Sequence, residues 1–120
     1  MNKICTSIEQ SKKLIELGID VNTADLWYIP IKVNGVSGYE LTLHNSLTRG
    51  IVPAWSLTAL LELMPKIGAN EPKLCKRYYI YAPLIRYVCI YGLLKDTKEY
   101  DNPIDAVFEM IIWLKEIGKI

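Results

Sequence analysis

The chain has 120 residues, 51% of them hydrophobic, with 14 Lys and Arg against 13 Asp and Glu and a formal charge of +1. This length and apolar content exclude a disordered chain and remove any need for a metal or disulfide staple; they predict one globular domain over residues 1–120. The balanced charge excludes a global field that draws in nucleic acid or an anionic membrane.

The first helix is expected to open at Thr6 or Ser7. Thr6 with Glu9, and Ser7 with Gln10, have the spacing of a capping box. Ile4, Ile8, Leu14, Ile15 and Leu17 supply its apolar face, and Gly18 ends it. Residues 20–25 read as a turn, with a helical turn started at Asn22 or Thr23.

Residues 26–33 and 39–44 read as two strands of a hairpin. The dipeptide Asn34-Gly35 suggests a two-residue turn that pairs Val33 with Val36. A longer loop over residues 34–38 instead pairs Val33 with Tyr39, Ile31 with Leu41 and Ile29 with Leu43, and sets Lys32 against Glu40. The hydrophobic pattern favours the longer loop. Pro30 implies an edge strand, or a ring nitrogen that faces away from the ladder.

A polar loop at 45–50 leads to a second helix expected over residues 53–64. Leu57, Leu60, Leu61 and Met64 give its buried face, and Trp55 anchors its start to the core. A loop at 67–73 follows, then strands over 74–81 and 85–94 joined by a turn at 82–84. A charged loop at 95–101 precedes the clearest helix, where Asn102 is the N-cap, Pro103 the first helical residue, Asp105 a first-turn anion, and Gly118 the stop. This helix is apolar almost all round, so it should be covered on more than one side. The fold class expected is α+β, in the order α-ββ-α-ββ-α, with two antiparallel hairpins in one four-stranded sheet and helices packed against it.

Candidate chemistry is sparse. His44 is the only histidine, and no second residue at an informative spacing completes a nucleophilic or zinc-binding group. Asp105, Glu109 and Glu62 are carboxylates on helices, read as solvated charges before catalytic ones. Cys5, Cys75 and Cys89 read as reduced thiols of a cytoplasmic chain, with a Cys75–Cys89 bridge across the hairpin as the alternative. The N-terminus lacks the apolar run of a secretory signal, and the apolar stretch at 106–114 falls short of the roughly 20 residues of a membrane span. No cofactor, metal or membrane partner is expected.

The interleaved basic and aromatic residues of the second hairpin are the strongest functional hint. Arg77, Tyr79, Tyr81, Arg86, Tyr87 and Tyr91, with Ile112 and Trp113 on the last helix, form the expected interaction surface. Its leading use is contact with a protein partner or a second copy of the chain. The alternative is nucleic-acid binding by Lys76, Arg77, Tyr79, Tyr81, Arg86 and Tyr87. A lesser alternative is an enzyme built on His44 or a carboxylate.

Three segments, at 7–25, 53–65 and 102–114, resemble a group of small uncharacterised bacterial proteins carried by phages and prophages. The run Pro53-Ala54-Trp55-Ser56-Leu57 is the most specific of these. The resemblance implies an accessory protein of a mobile element and brings no activity or site with it.

Overall fold

The computed structural model describes residues 3–44, 49–65, 71–79 and 84–120. Among them the order is α1 (Ile8–Glu16), a 3-10 turn (Val21–Thr23), β1 (Leu26–Val33), β2 (Val36–Thr42), β3 (Val52–Ala54), α2 (Leu57–Leu63), β4 (Lys73–Tyr79), β5 (Leu84–Tyr91), β6 (Lys95–Asp96) and α3 (Pro103–Glu116). The class is α+β. Tyr81 and parts of the loops expected at 45–50, 67–73 and 82–84 lie outside the described residues.

The N-terminal helix forms as its capping box dictates. The Gln10 N–H donates to Ser7 Oγ at 3.1 Å and the Ser7 N–H to Gln10 Oε1 at 3.0 Å, so two otherwise orphaned donors are satisfied. Its buried face differs from the apolar pattern: Leu14 is buried, but Ile4 and Ile15 are exposed and Ser11 lies inside. Ser11 is tolerated because its hydroxyl meets Thr6 Oγ1 at 2.7 Å. The following turn is capped by Asp20, whose carboxylate takes the Asn22 N–H at 3.0 Å, rather than by Asn22 or Thr23.

The second helix starts later than the sequence suggests. Residues 52–54 pair with β1, Leu26 with Ala54 and Tyr28 with Val52. Ser56 is the cap, accepting from the Ala59 N–H at 3.2 Å. Asp25 fixes that cap by taking the Ser56 N–H at 2.8 Å and the Ser56 hydroxyl. Pro53 fits β3 because β3 is an edge strand. Trp55 is fully buried, as expected of an anchor, and its Nε1–H donates to Thr23 Oγ1 at 2.9 Å.

The first hairpin takes the two-residue turn, not the longer loop. Val33 pairs with Val36, Ile31 with Gly38 and Ile29 with Glu40. Asn34 and Gly35 have φ of 52° and 79°, the pair of positive values that a type I′ turn requires. Hydrophobic pattern sets register only where one face is buried, and residues 31–40 are exposed throughout. Turn chemistry therefore decides. Pro30 sits in the central strand of its sheet, but β3 ends opposite Tyr28, so the ladder needs no donor at Pro30.

The hairpins do not join into one four-stranded sheet. Two separate three-stranded antiparallel sheets form, in the orders β2-β1-β3 and β4-β5-β6. Each inner edge is already occupied. β3 takes the second side of β1, while β6 and the segment to Tyr100 take that of β5, with Tyr87 and Tyr100 exchanging bonds of 2.7 and 2.8 Å.

The core gathers on α3, which packs against both α2 and β5. Ile104, Val107, Met110, Ile111 and Leu114 are buried with Leu14, Trp55, Leu60, Cys89 and Tyr91. Covering from more than one side is thus what the apolar helix receives. Its N-terminus is tied to the start of the chain: Asp105 Oδ1 accepts from Lys3 Nζ and Gln10 Nε2, each at 2.7 Å. The hairpins reach beyond this core. The Cα radius of gyration is 15.9 Å, against about 14 Å for a compact chain of this length.

Candidate functional site

Of the expected interaction residues, the structure brings Arg77, Tyr79 and Arg86 together on one face of the second sheet. Arg77 stands directly opposite Arg86 across the β4–β5 ladder, and Tyr79 lies two residues along on the same face. Two facing guanidinium groups repel. Glu99, from the segment between β6 and α3, answers them. Its Oε1 accepts from Arg77 Nη1 at 2.9 Å, and its carboxylate also takes the Tyr79 hydroxyl. The Tyr79 bond first, and the Arg77 bond second, hold the Glu99 carboxyl below its ordinary range; the same contact raises the Tyr79 phenol. The sequence offers no signal for Glu99, which sits in an aperiodic charged loop.

The other predicted residues lie elsewhere. Tyr87 is on the opposite face, paired with Lys76 and bridged to Tyr100. Tyr91 is buried, and its ring meets Trp113 edge-on with centroids 6.2 Å apart. Ile112 and Trp113 are half-buried, and Trp113 packs on the core. Tyr91 and Trp113 therefore support α3, while Ile112 keeps a part-exposed place on the helix. The cause is that β5 lies against this helix; the apolar pattern calls for cover on more than one side but does not say which element provides it.

Two of the candidate carboxylates, Glu109 and Asp105, are engaged in structural bonds. Glu109 takes the Tyr100 hydroxyl at 2.6 Å and the Lys98 N–H at 3.1 Å. Burial acts to raise the Asp105 carboxyl, but hydrogen bonds from Lys3, Asn102 and Gln10 outweigh it and leave the group below its ordinary value. His44 and Glu62 are exposed. Among the described residues no three His, Cys, Asp or Glu side chains group as a metal ion requires. The cysteines are free: Cys89 faces Leu74 and Cys75 faces Val88, so the two thiols point to opposite faces.

The first sheet carries the feature that sequence reading missed. Trp27, Ile29, Ile31 and Val33 alternate onto one face of β1, and Val36 and Pro53 are their neighbours on β2 and β3. This is an apolar stripe with a single charge beside it, Glu40 directly across from Ile29. Ile31, Val33 and Val36 are 37%, 58% and 71% exposed. At its base Val21, Trp27, Ile51 and Pro53 line a hollow of 310 Å³. The opposite face differs: there Leu26, Tyr28 and Leu41 pack with Cys5 and Ala54, and the Tyr28 hydroxyl donates to the Thr6 carbonyl at 2.7 Å. The alternation of Ile29, Ile31 and Val33 was the available signal, but it reads equally as a core-facing strand.

Among the described residues no helix is long and apolar enough to cross a membrane. No protein-family model, curated protein or solved structure matches this chain.

Proposed function

We propose that this chain is a protein-binding module that does no chemistry of its own and takes its partner on the first sheet. One observation carries the reading: the apolar stripe Trp27, Ile29, Ile31, Val33 and Val36 stands on a hairpin that projects from the core. A two-stranded hairpin with both faces in water is marginal by itself. Covering each of these side chains contributes about 1 kcal/mol or more. The resemblance to phage-carried proteins adds the reading of a cytoplasmic accessory protein of a mobile element.

The test is affinity recovery of the chain from cells that produce it, beside an Ile31→Glu, Val33→Glu double variant. The reading expects a stoichiometric protein seated on the stripe that the variant loses while its melting temperature stays unchanged. A chain recovered alone, or a folded variant that keeps every partner, contradicts it.

A second reading, nucleic-acid binding by the second sheet, is favoured by Arg77 facing Arg86 and by the six Lys and Arg against three Asp and Glu over residues 71–100. Glu99 opposes it by neutralising part of that face. Titration with single-stranded and duplex DNA and RNA at low salt tests it, since phosphate contacts are strongest there.

A further inference from the structure

The two sheets present four outer edges, and three are blocked by familiar devices. β3 has three residues with Pro53 in the middle; β6 has two residues; β4 carries Lys73, Lys76 and Arg77. Short length, proline and like charge each prevent a second strand from adding. β2 has none of these. It runs seven residues, Val36–Thr42, pairs with β1 residue for residue without a bulge, and carries one charge, Glu40.

The turn fixes which groups of β2 face outward. Val33 and Val36 flank a two-residue turn and so form a hydrogen-bonded pair. Pairs then alternate. Gly38 and Glu40 bond to β1, whereas Ser37, Tyr39 and Leu41 turn their N–H and C=O groups away from it. The pairing of Tyr39 with Pro30, which has no N–H, agrees with this.

We propose that the occupant of this edge is the β2 strand of a second copy, antiparallel, with the twofold axis at Tyr39. This rests on the reading of the first sheet as a binding surface and names the occupant of its edge; the apolar stripes of both copies stay open to a further partner. The register pairs all seven residues: Tyr39 with Tyr39 of the other copy, Ser37 with Leu41, Gly38 with Glu40, and Val36 with Thr42. The outward-facing residues Ser37, Tyr39 and Leu41 fall opposite one another, so each such pair exchanges both its hydrogen bonds. Glu40 meets Gly38, and no like charges face each other. A six-stranded sheet results, with the two apolar stripes on the same side.

The experiment uses the full chain with Cys75→Ser to remove the half-exposed thiol. In that background Tyr39→Cys places two thiols across the axis at about 5.5 Å between Cα atoms, within disulfide reach. Lys32→Cys, on β1, is the control: three strand spacings across and four residues along the strands place it about 20 Å from its mate. The proposal expects a dimer in sedimentation velocity and rapid oxidative cross-linking at position 39 only. It also expects Tyr39→Lys to weaken the dimer more than about tenfold with the melting temperature of the monomer kept. A monomeric chain at every concentration, or equal cross-linking at 39 and 32, overturns it. If the chain is monomeric yet recovers a different protein that Ile31→Glu, Val33→Glu loses, the inference falls and the binding reading stands; if it also recovers nothing, both fall.

Discussion

Pro30 stands directly across from Tyr39 in the β1–β2 ladder. A proline has no hydrogen to give, so this pair is one whose main-chain groups point away from each other. The consequence is an outer strand whose alternate amides at Ser37, Tyr39 and Leu41 are open to a partner.

The register itself is testable. Asn34 and Gly35 hold positive φ, which costs roughly 1–2 kcal/mol for an ordinary side chain. Replacing Gly35 with Val should destabilise the hairpin by about that amount. In the wild type, close Hα–Hα contacts in NMR spectra should join Tyr28 to Leu41 and Lys32 to Ser37. Contacts joining Ile31 to Leu41 would restore the longer loop.

Asp105 is the electrostatic tie between the chain start and α3. Its carboxyl is held below the ordinary value, so it releases its proton more readily folded than unfolded. The stability it adds is complete above the unfolded pKa, about 3.9. That stability fades as pH falls toward the lower folded value. Asp105→Asn should therefore lose about 1–3 kcal/mol at pH 7 and show a shallower loss of stability below pH 4. Denaturant melts at pH 7 and pH 3 give both quantities.

The three thiols differ in access. Cys5 and Cys89 are buried, and burial pushes the Cys89 thiol up to about 12; Cys75 is half-buried on β4. A thiol reagent at pH 8 should modify Cys75 rapidly and the other two only in denaturant, as a timed mass spectrum would show.

Trp55 ties the start of α2 to the turn before β1, since it is fully buried and bonds Thr23. Trp55→Ala should cost about 3–5 kcal/mol. Thr23→Val, which removes the acceptor but leaves the packing, should cost about 1 kcal/mol. Equilibrium unfolding in urea measures both.

Local signals were legible where a single motif decides the outcome. The Ser7–Gln10 capping box and the Asn102-Pro103 start of α3 stand as read, because each is satisfied within one helical turn. β3 was not legible. Val52–Ala54 is a strand only because Leu26–Tyr28, far away in sequence, offers it an edge, and so the helix was read as starting at Pro53. Register was misjudged for a related reason: a pattern argument assumes a covered face, and the outer half of this hairpin has none. The same assumption hid the apolar stripe of β1, whose residues look like core from sequence alone. On the second sheet, alternation placed Arg77 and Tyr79 on one face, but Arg86 joins them only through the β4–β5 register, and their partner Glu99 comes from an irregular segment.

The most direct test of a partner on the first hairpin is amide hydrogen exchange along Val36–Thr42, followed across a dilution series of the full chain. A β2 strand covered by a second copy predicts slow exchange at Ser37, Tyr39 and Leu41 at high concentration, becoming fast on dilution, while Gly38 and Glu40 change little. Fast exchange at Ser37, Tyr39 and Leu41 at every concentration would contradict it.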